Sequence, residues 1–157
     1  MRNLTVRRAG TADIEALLTV STGLWSEDAG AHDPDTMNID WPAQHGRASF
    51  EALVDDPDRV GLLAEIGSEL AGGLMGSVPE LTPRDRVRQA RLNSVWVLPE
   101  HRSSGVGAVL VEAFLEWARE RGVPYAQVTA FAANSGAIGF YERRGFTPHS
   151  VTLRLEL

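Results

Sequence analysis

The chain has 157 residues, of which 43% are hydrophobic and 23% are charged, a balance typical of a globular domain with a buried core. We therefore predict a single domain over residues 1–157. The net charge of -6 argues against nucleic acid as a partner. The absence of cysteine excludes disulfides, thiolate metal ligands and any mechanism that holds a group on an enzyme thiol.

The sequence carries no targeting or membrane-spanning signal. Residues 1–8 lack the apolar stretch of a signal peptide, and no segment approaches the length needed to cross a bilayer. We therefore expect a cytoplasmic protein with no membrane partner. All fifteen basic residues are arginine, which favours a GC-rich, bacterial genome. The four histidines lie too far apart to indicate a zinc site, so we expect no metal: His32, His45, His101 and His149.

The first part of the chain predicts one strand, two helices and three antiparallel strands. Alternation of apolar residues indicates the strands, and a cap at Thr11 to Asp13 begins the first helix. A polar, turn-rich segment separates the two helices. The predicted elements are a strand at 4–6, a helix from 11–13 to about 25, an irregular loop at 26–42, a helix at 43–54, a hairpin at 60–66 and 69–78, and a strand ending at 97.

The predicted strand that ends at 97 is followed by a turn that contains glycine, and this turn leads into a predicted helix. If the helix begins near Ser103 or Ser104, its first amides have no intrahelical acceptor, and Gly105 and Gly107 let an anion approach. The turn therefore indicates a phosphate site or, alternatively, close packing. A nucleoside-triphosphatase loop is excluded because the chain has no lysine, and a dinucleotide fingerprint needs a third glycine.

The last third alternates helix and strand. We predict that the helix after the glycine turn runs to about 121, and that a buried strand follows at 125–131. A final helix begins at 134–135 and ends at Gly145, and a strand at 146–157 closes the sheet, with alternating apolar residues from Val151 to Leu157. The whole pattern predicts an α/β (mixed α+β) fold, with helices packed on the faces of a mixed sheet.

Two motifs flank the predicted strand at 125–131. Residues 95–107 read VWVLPEHRSSGVG, and residues 134–146 read NSGAIGFYERRGF. In this order they resemble the GNAT superfamily of acyl-coenzyme A-dependent N-acetyltransferases, with its [QR]-x-x-G-x-[GA] loop and its Asn-x-x-Ala-x-x-Phe-Tyr-x-x-x-Gly-Phe element. The resemblance implies a mixed, mostly antiparallel sheet with helices on both faces and a splay between the fourth and fifth strands.

The resemblance also implies acetyl-CoA as co-substrate and direct acetyl transfer, in a ternary complex, to a primary amine of a small molecule or peptide. An amide of Trp96 or Val97 would polarise the thioester carbonyl. Tyr141 would protonate the departing thiolate as the catalytic acid, and Asn134 would hold the coenzyme arm and can also cap its helix. The implied coenzyme-binding residues are Val95, Trp96, Val97, Arg102, Ser103, Ser104, Gly105, Val106, Gly107, Ala108, Asn134 and Tyr141.

The sequence indicates less about the residues that would bind the amine acceptor. Acidic residues concentrate between Glu27 and Asp58, which favours a cationic amine, and a solvated acidic surface is the alternative. We predict acceptor contacts at Trp25, Glu27, Asp28 and Trp41. The fourth and fifth strands lack the glutamate that many family members use as general base. The candidates for the base are Glu27, Asp28, Asp33, Asp35, Glu80 and His45, or a water ordered by Asn93, Ser94 or Thr129.

Three alternatives stay open at this point. The chain can be a non-catalytic acyl-CoA-binding sensor or interaction module on the same fold. It can use another acyl donor, such as propionyl- or succinyl-CoA. Homodimers are common in the family, so a homodimer is compatible with the resemblance, but no stripe of residues in the sequence indicates an interface.

Overall fold

A five-stranded sheet forms the centre of the protein in the computed structural model, which describes residues 3–157. The strands lie in the order β1-β2-β3-β4-β5, and neighbours are antiparallel except for the parallel pair β4 and β5. The sheet is therefore mixed and mostly antiparallel, as predicted. The strands are β1 Leu4–Arg8, β2 Arg59–Ile66, β3 Glu69–Ser77, β4 Ala90–Val97 and β5 Ala126–Val128.

Helices cover both faces of this sheet. Successive residues of a strand point to opposite faces, so Leu62 and Leu74 pack in one core with Phe114, whereas Leu63 and Met75 pack in the other. The first core lies under α4, and the second under α1 and α3. The helices are α1 Ile14–Leu24, α2 Gly30–His32, α3 Arg47–Asp55, α4 Val106–Glu120 and α5 Ser135–Glu142.

The predicted irregular loop at 26–42 is wrong for residues 26–32, which are helical, and correct for residues 33–40, which form turns and bends. The chain continues from α1 through a π-helical turn, Trp25–Ala29, into α2, and a second π turn, Pro42–Gly46, leads into α3. The packing of aromatic rings accounts for this, because Trp25 stacks on Trp41 at a centroid distance of 5.6 Å and Ala29 is buried. Tertiary contacts thus outweigh the low helix propensity of the polar residues between them.

The glycine turn also differs from the prediction. The helix α4 begins at Val106, not at Ser103 or Ser104, because Ser103 has a φ of 63° and Gly105 a φ of 85°. Left-handed residues cannot continue into a right-handed helix. The helix therefore starts directly after the second of them.

The predicted strands of the last third are shorter than expected or absent. Only Ala126–Val128 of the strand predicted at 125–131 pairs with β4. The strand predicted at 146–157 is wrong, because these residues join no sheet and residues 147–157 are exposed. The alternation of apolar residues is present, but no neighbouring strand accompanies it. No helix within residues 3–157 is long and apolar enough to cross a membrane.

Candidate active site

The sheet opens between β4 and β5. The two strands pair only at Ala90, Arg91 and Leu92, which face Ala126 to Val128, while β4 continues to Val97 beside β3 alone. The pairing of β4 with β3 changes register between Leu92 and Ser94, so Asn93 forms a bulge where the opening starts. The predicted splay is thereby confirmed, and it leaves one edge of β4 without a strand partner.

Val97 presents its main chain to this open edge. The amide of Leu98 donates to the carbonyl of Ala71 in β3, and the main-chain groups of successive strand residues point to opposite edges. The Val97 carbonyl accordingly accepts from Nε of Arg102 at 3.0 Å. Of the two amides considered for the thioester carbonyl, that of Val97 lies on the open side and that of Trp96 faces β3.

The two glycines of the turn have different roles. Gly105 has a positive φ, and a Cβ placed on it would meet no atom within 4 Å, so the space before α4 is open. A Cβ on Gly107 would lie 3.2 Å from the Phe140 ring. Gly107 therefore lets α4 and α5 approach each other, while Gly105 and the free amides that follow it suit an anion. Close packing is thus observed at Gly107, while the phosphate site at Gly105 stays a prediction.

Arg102 does not lie free beside this turn. Its Nη2 is 2.6 Å from Oε2 of Glu27, and its guanidinium is 5.9 Å from the centre of the Trp96 ring. The same Glu27 oxygen accepts from Nε1 of Trp96 at 3.1 Å. Glu27 thus joins the π turn after α1 to β4 and to the glycine turn, and it does not line the cleft described next.

A cleft of about 340 Å³ lies between α1, α3 and the sheet. One wall is aromatic, because Trp25 stacks on Trp41, and Trp41 meets Phe50 edge to face at 6.2 Å. Only two of the lining residues are charged, Asp28 and Arg59. The lining comprises Ser21, Leu24, Trp25, Asp28, Ala29, Met37, Trp41, Ser49, Phe50, Leu53, Arg59, Met75, Asn93 and Ser94.

Asp28 connects this cleft with the second motif. Its Oδ1 accepts from Nδ2 of Asn134 at 3.1 Å, while Oδ1 of Asn134 caps α5 by accepting from the amide of Ala137 at 3.1 Å. Nε2 of His32 lies 3.9 Å from the same Asp28 oxygen. Burial, assisted by the negative charge of Asp28, raises the pKa of Tyr141 to about 12. Asn134 is therefore a helix cap whose side-chain amide also binds Asp28, a residue of the cleft.

The structure separates the candidates for the general base. Asp28 lines the cleft together with Asn93 and Ser94, whereas Glu27 is bound to Arg102. Asp33 is buried and pairs with Arg154, and hydrogen bonds from Thr36 and then Arg154 lower the pKa of its carboxyl. The remaining candidates are exposed and do not line the cleft: Asp35, His45, Glu80 and Thr129.

Several cleft residues were missed by the sequence analysis. Phe50, Arg59 and Met75 come from α3, β2 and β3, and no local pattern marks them. His32, for which the sequence predicted no role in the site, lies beside Asp28 and stacks on Phe131 at 5.4 Å. Within residues 3–157, no group of three or more histidine or acidic side chains could hold a metal ion.

The mixed sheet, its opening between β4 and β5 and the helices on both of its faces define a protein of the GNAT fold class. The family model for the Acetyltransferase (GNAT) family matches residues 26–146, and the chain belongs to this family. Acetyltransferases of this family use acetyl-CoA as the acetyl donor.

Individual relatives agree with this assignment. The chain is 27% identical over 150 residues to the L-methionine sulfoximine/L-methionine sulfone acetyltransferase of Pseudomonas aeruginosa, covering 90% of this chain and 78% of that one. Two solved structures share the fold. One is the aminoglycoside N-acetyltransferase AAC(6')-Iy in complex with CoA, with 16% identity, a TM-score of 0.78 and coverage of 100% and 96% of the two chains. The other is the aminoglycoside 6'-N-acetyltransferase AAC(6')-IG from Acinetobacter haemolyticus, with 19% identity, a TM-score of 0.75 and coverage of 98% and 97%.

Proposed function

We propose that this protein is a single-domain enzyme that transfers an acetyl group from acetyl-CoA to the primary amine of a small molecule, by direct attack in a ternary complex. The observation that carries the proposal is the opening of the sheet after Leu92, flanked by the start of α4 on one side and by the cleft on the other. A cytoplasmic location belongs to the same proposal.

The coenzyme would lie along the open edge of β4. The main chain of Val95 and Val97 pairs with its pantetheine arm as an added strand would, and the amides of 103–108 receive its pyrophosphate at the positive end of α4. The open space around Gly105 fits this anion. Arg102 can contribute only if it leaves Glu27, since that carboxylate holds it in the free protein.

The chemistry then requires two proton transfers. The neutral amine attacks the thioester carbonyl carbon, and the Val97 amide donates a hydrogen bond to the oxygen on which charge develops. The C–S bond breaks, the Tyr141 hydroxyl gives its proton to the thiolate, and the attacking nitrogen loses its extra proton to water as the amide forms. With a pKa of about 12, Tyr141 is protonated at neutral pH and can act as this acid.

Asp28 is the residue that we assign to the acceptor. An incoming ammonium group would pair with its carboxylate in the cleft and would lose its proton to Asp28, or to water held by Asn93 and Ser94. Trp25 and Trp41 would cover the apolar part of the acceptor. A cleft of about 340 Å³ is at the small end for ligand sites, which favours an acceptor of amino-acid size.

The Pseudomonas relative, named for acetylating methionine sulfoximine and methionine sulfone, makes amino-acid derivatives the first acceptors to test. The experiment measures thiol release from acetyl-CoA across a panel of such derivatives, polyamines, aminoglycosides and peptide N-termini. Turnover of a primary amine supports the proposal. Binding of acetyl-CoA without turnover of any amine would favour the non-catalytic binder, and the absence of binding would exclude both. Propionyl- and succinyl-CoA, assayed in parallel, test the acyl group.

A further inference from the structure

Arg59, the first residue of β2, is a cation of the cleft that the proposed chemistry does not use. The acidic residues that precede it in the sequence are bound elsewhere. Asp58 pairs with Arg88 and Arg121, and Oδ1 of Asp56 accepts from the amide of Asp58. Among residues 3–157, no carboxylate forms an ion pair with the Arg59 guanidinium. Its positive charge therefore remains available to a ligand.

Ser49 of α3 fixes this guanidinium at the cleft. The main-chain carbonyl of Ser49 accepts from Nη1 of Arg59 at 3.2 Å, and its hydroxyl oxygen accepts from Nη2 at 3.2 Å. Both residues line the cleft, and both are half-buried. Two of the five N–H groups of the guanidinium are used in this way, so three remain, and the serine hydroxyl can also donate. Such a group of donors fits a carboxylate, which can accept two parallel hydrogen bonds from arginine.

The cleft extends across three strands, from Arg59 on β2 to the opening of the sheet beside β4. Arg59 pairs with Ser77 of β3, and the Ser77 hydroxyl donates to Oδ1 of Asn93 at 2.8 Å. Asn93 is the bulge at which the sheet opens. Neighbouring strands lie about 4.8 Å apart, so roughly 10 Å separates the main chains of β2 and β4. The long arginine side chain shortens this gap, and one small molecule can therefore contact both ends of the cleft.

We propose that Arg59 binds a carboxylate of the acceptor, and that the acceptor is therefore a free amino acid whose amine lies at Asp28. This inference rests on the proposed function and narrows its acceptor. The two charged residues of the cleft, one anion and one cation, complement the ammonium and the carboxylate of such a molecule. An amine without a carboxylate leaves the Arg59 charge unpaired, which costs binding free energy. Polyamines and aminoglycosides are disfavoured further, because Arg59 repels their additional cations.

The first test compares amino acids with the amines that remain when the carboxylate is removed. The pairs are methionine with 3-(methylthio)propylamine, phenylalanine with 2-phenylethylamine, and 6-aminohexanoate with pentylamine. Rates are referred to the concentration of neutral amine, because the carboxylate itself changes the pKa of the ammonium group. We expect kcat/KM to be about 10- to 100-fold higher for the amino acid in at least one pair, the range for a hydrogen bond to a charged group. Equal values in every pair would overturn the proposal.

The second test removes the cation. Arg59→Gln should lower kcat/KM for the preferred amino acid by about 10- to 100-fold and lower it much less for the partner amine, while the Kd for acetyl-CoA stays unchanged. Arg59→Lys keeps the charge without the planar fork, and should retain part of the preference. The matched control is Arg119→Gln, which removes an exposed arginine of α4 on the other face of the sheet. Equal losses for the amino acid and the amine would mean that Arg59 only supports the fold, and would contradict the proposal.

Binding of the acetylated products separates this inference from the proposed acetyl transfer. Calorimetry in the presence of CoA compares N-acetylmethionine with N-acetyl-3-(methylthio)propylamine. We expect the acid to bind more tightly than the neutral amide, and the difference to disappear in Arg59→Gln.

The outcomes of the two measurements are distinct. Turnover of amines without a preference for the carboxylate would overturn the role of Arg59 and leave acetyl transfer intact. If no amine is turned over, acetyl transfer fails, and product binding alone decides the inference. Tighter binding of the acid that depends on Arg59 would then support a carboxylate site, whereas equal or absent binding of the two products would overturn it.

Discussion

Asp28 and Asn134, 106 residues apart in the sequence, are joined by a hydrogen bond of 3.1 Å. The bond connects the π turn after α1 with the cap of α5, and so links the cleft to the helix that carries Tyr141. Because Asp28 also raises the pKa of Tyr141, the group assigned to the amine and the group assigned to the thiolate affect each other electrostatically.

Removing the Tyr141 hydroxyl tests whether Tyr141 is the acid that protonates the departing thiolate. We expect Tyr141→Phe to lower kcat by about 100-fold, in the range for loss of a general acid, while the Kd for acetyl-CoA stays nearly unchanged. Tyr125→Phe is the matched control, since it removes the chain's other tyrosine hydroxyl from an exposed position. Steady-state kinetics with calorimetric binding measure both quantities. Full activity of Tyr141→Phe across the pH range would exclude Tyr141 as the acid.

Neutralising Asp28 should change both the KM for a cationic amine and the pH dependence of kcat. Asp28→Asn removes the charge that would hold an ammonium group, so we expect the KM for a cationic amine to rise by about tenfold or more. It also removes one cause of the raised pKa of Tyr141, so the basic limb of the kcat profile should move to lower pH. The exposed Asp35→Asn serves as control. A KM and a pH profile both equal to those of the parent would rule out this role for Asp28.

Gly23 provides a test of how the site is supported. A Cβ at this position would lie 2.3 Å from the ring of Trp96, so Gly23→Ala must displace the indole that donates to Glu27. We expect a loss of about 1 to 3 kcal/mol in the free energy of unfolding. Gly136→Ala, whose Cβ would meet only Asn134 Oδ1 at 3.8 Å, should change it by less than about 1 kcal/mol. Urea unfolding compares the two, and equal stabilities would contradict the close packing of Gly23 against Trp96.

Asp13 should make stability depend on pH in the acid range. Two hydrogen bonds from Arg7, at 2.8 and 2.9 Å, and one from the amide of Gly10 lower its pKa to about 2. Since the pKa of an aspartate in the unfolded chain is about 3.9, this stabilisation is complete above that pH and is lost as the pH falls through 2.

Asp13→Asn should therefore reduce the free energy of unfolding at pH 7 by about 1 kcal/mol, a value discounted for the half-exposed Arg7. The difference from the parent should shrink between pH 4 and pH 2, as urea unfolding at several pH values would record. The exposed Asp40→Asn should show neither effect. A difference that grows toward low pH would have the wrong sign and would reject the assignment.

Local patterns were sufficient for most of the elements. The hairpin of β2 and β3, the helix α4 and the helix α5 with its Asn134 cap follow from apolar periodicity and capping, which act within a few residues. Residues 146–157 show the limit of such patterns. Their apolar residues alternate, but a strand needs a neighbouring strand to pair with, and the structure provides none for them.

By itself, the sequence determined most of the order of elements and the two motifs that carry the family resemblance. Only the tertiary structure showed that Asp28, and not Glu27, lines the cleft. Neighbouring helical residues point about 100° apart, and the π turn at Trp25–Ala29 shifts that direction further, so spacing did not reveal which carboxylate faces the cleft. Packing of Trp25 on Trp41 fixes the turn, which directs Asp28 to Asn134 and Glu27 to Arg102.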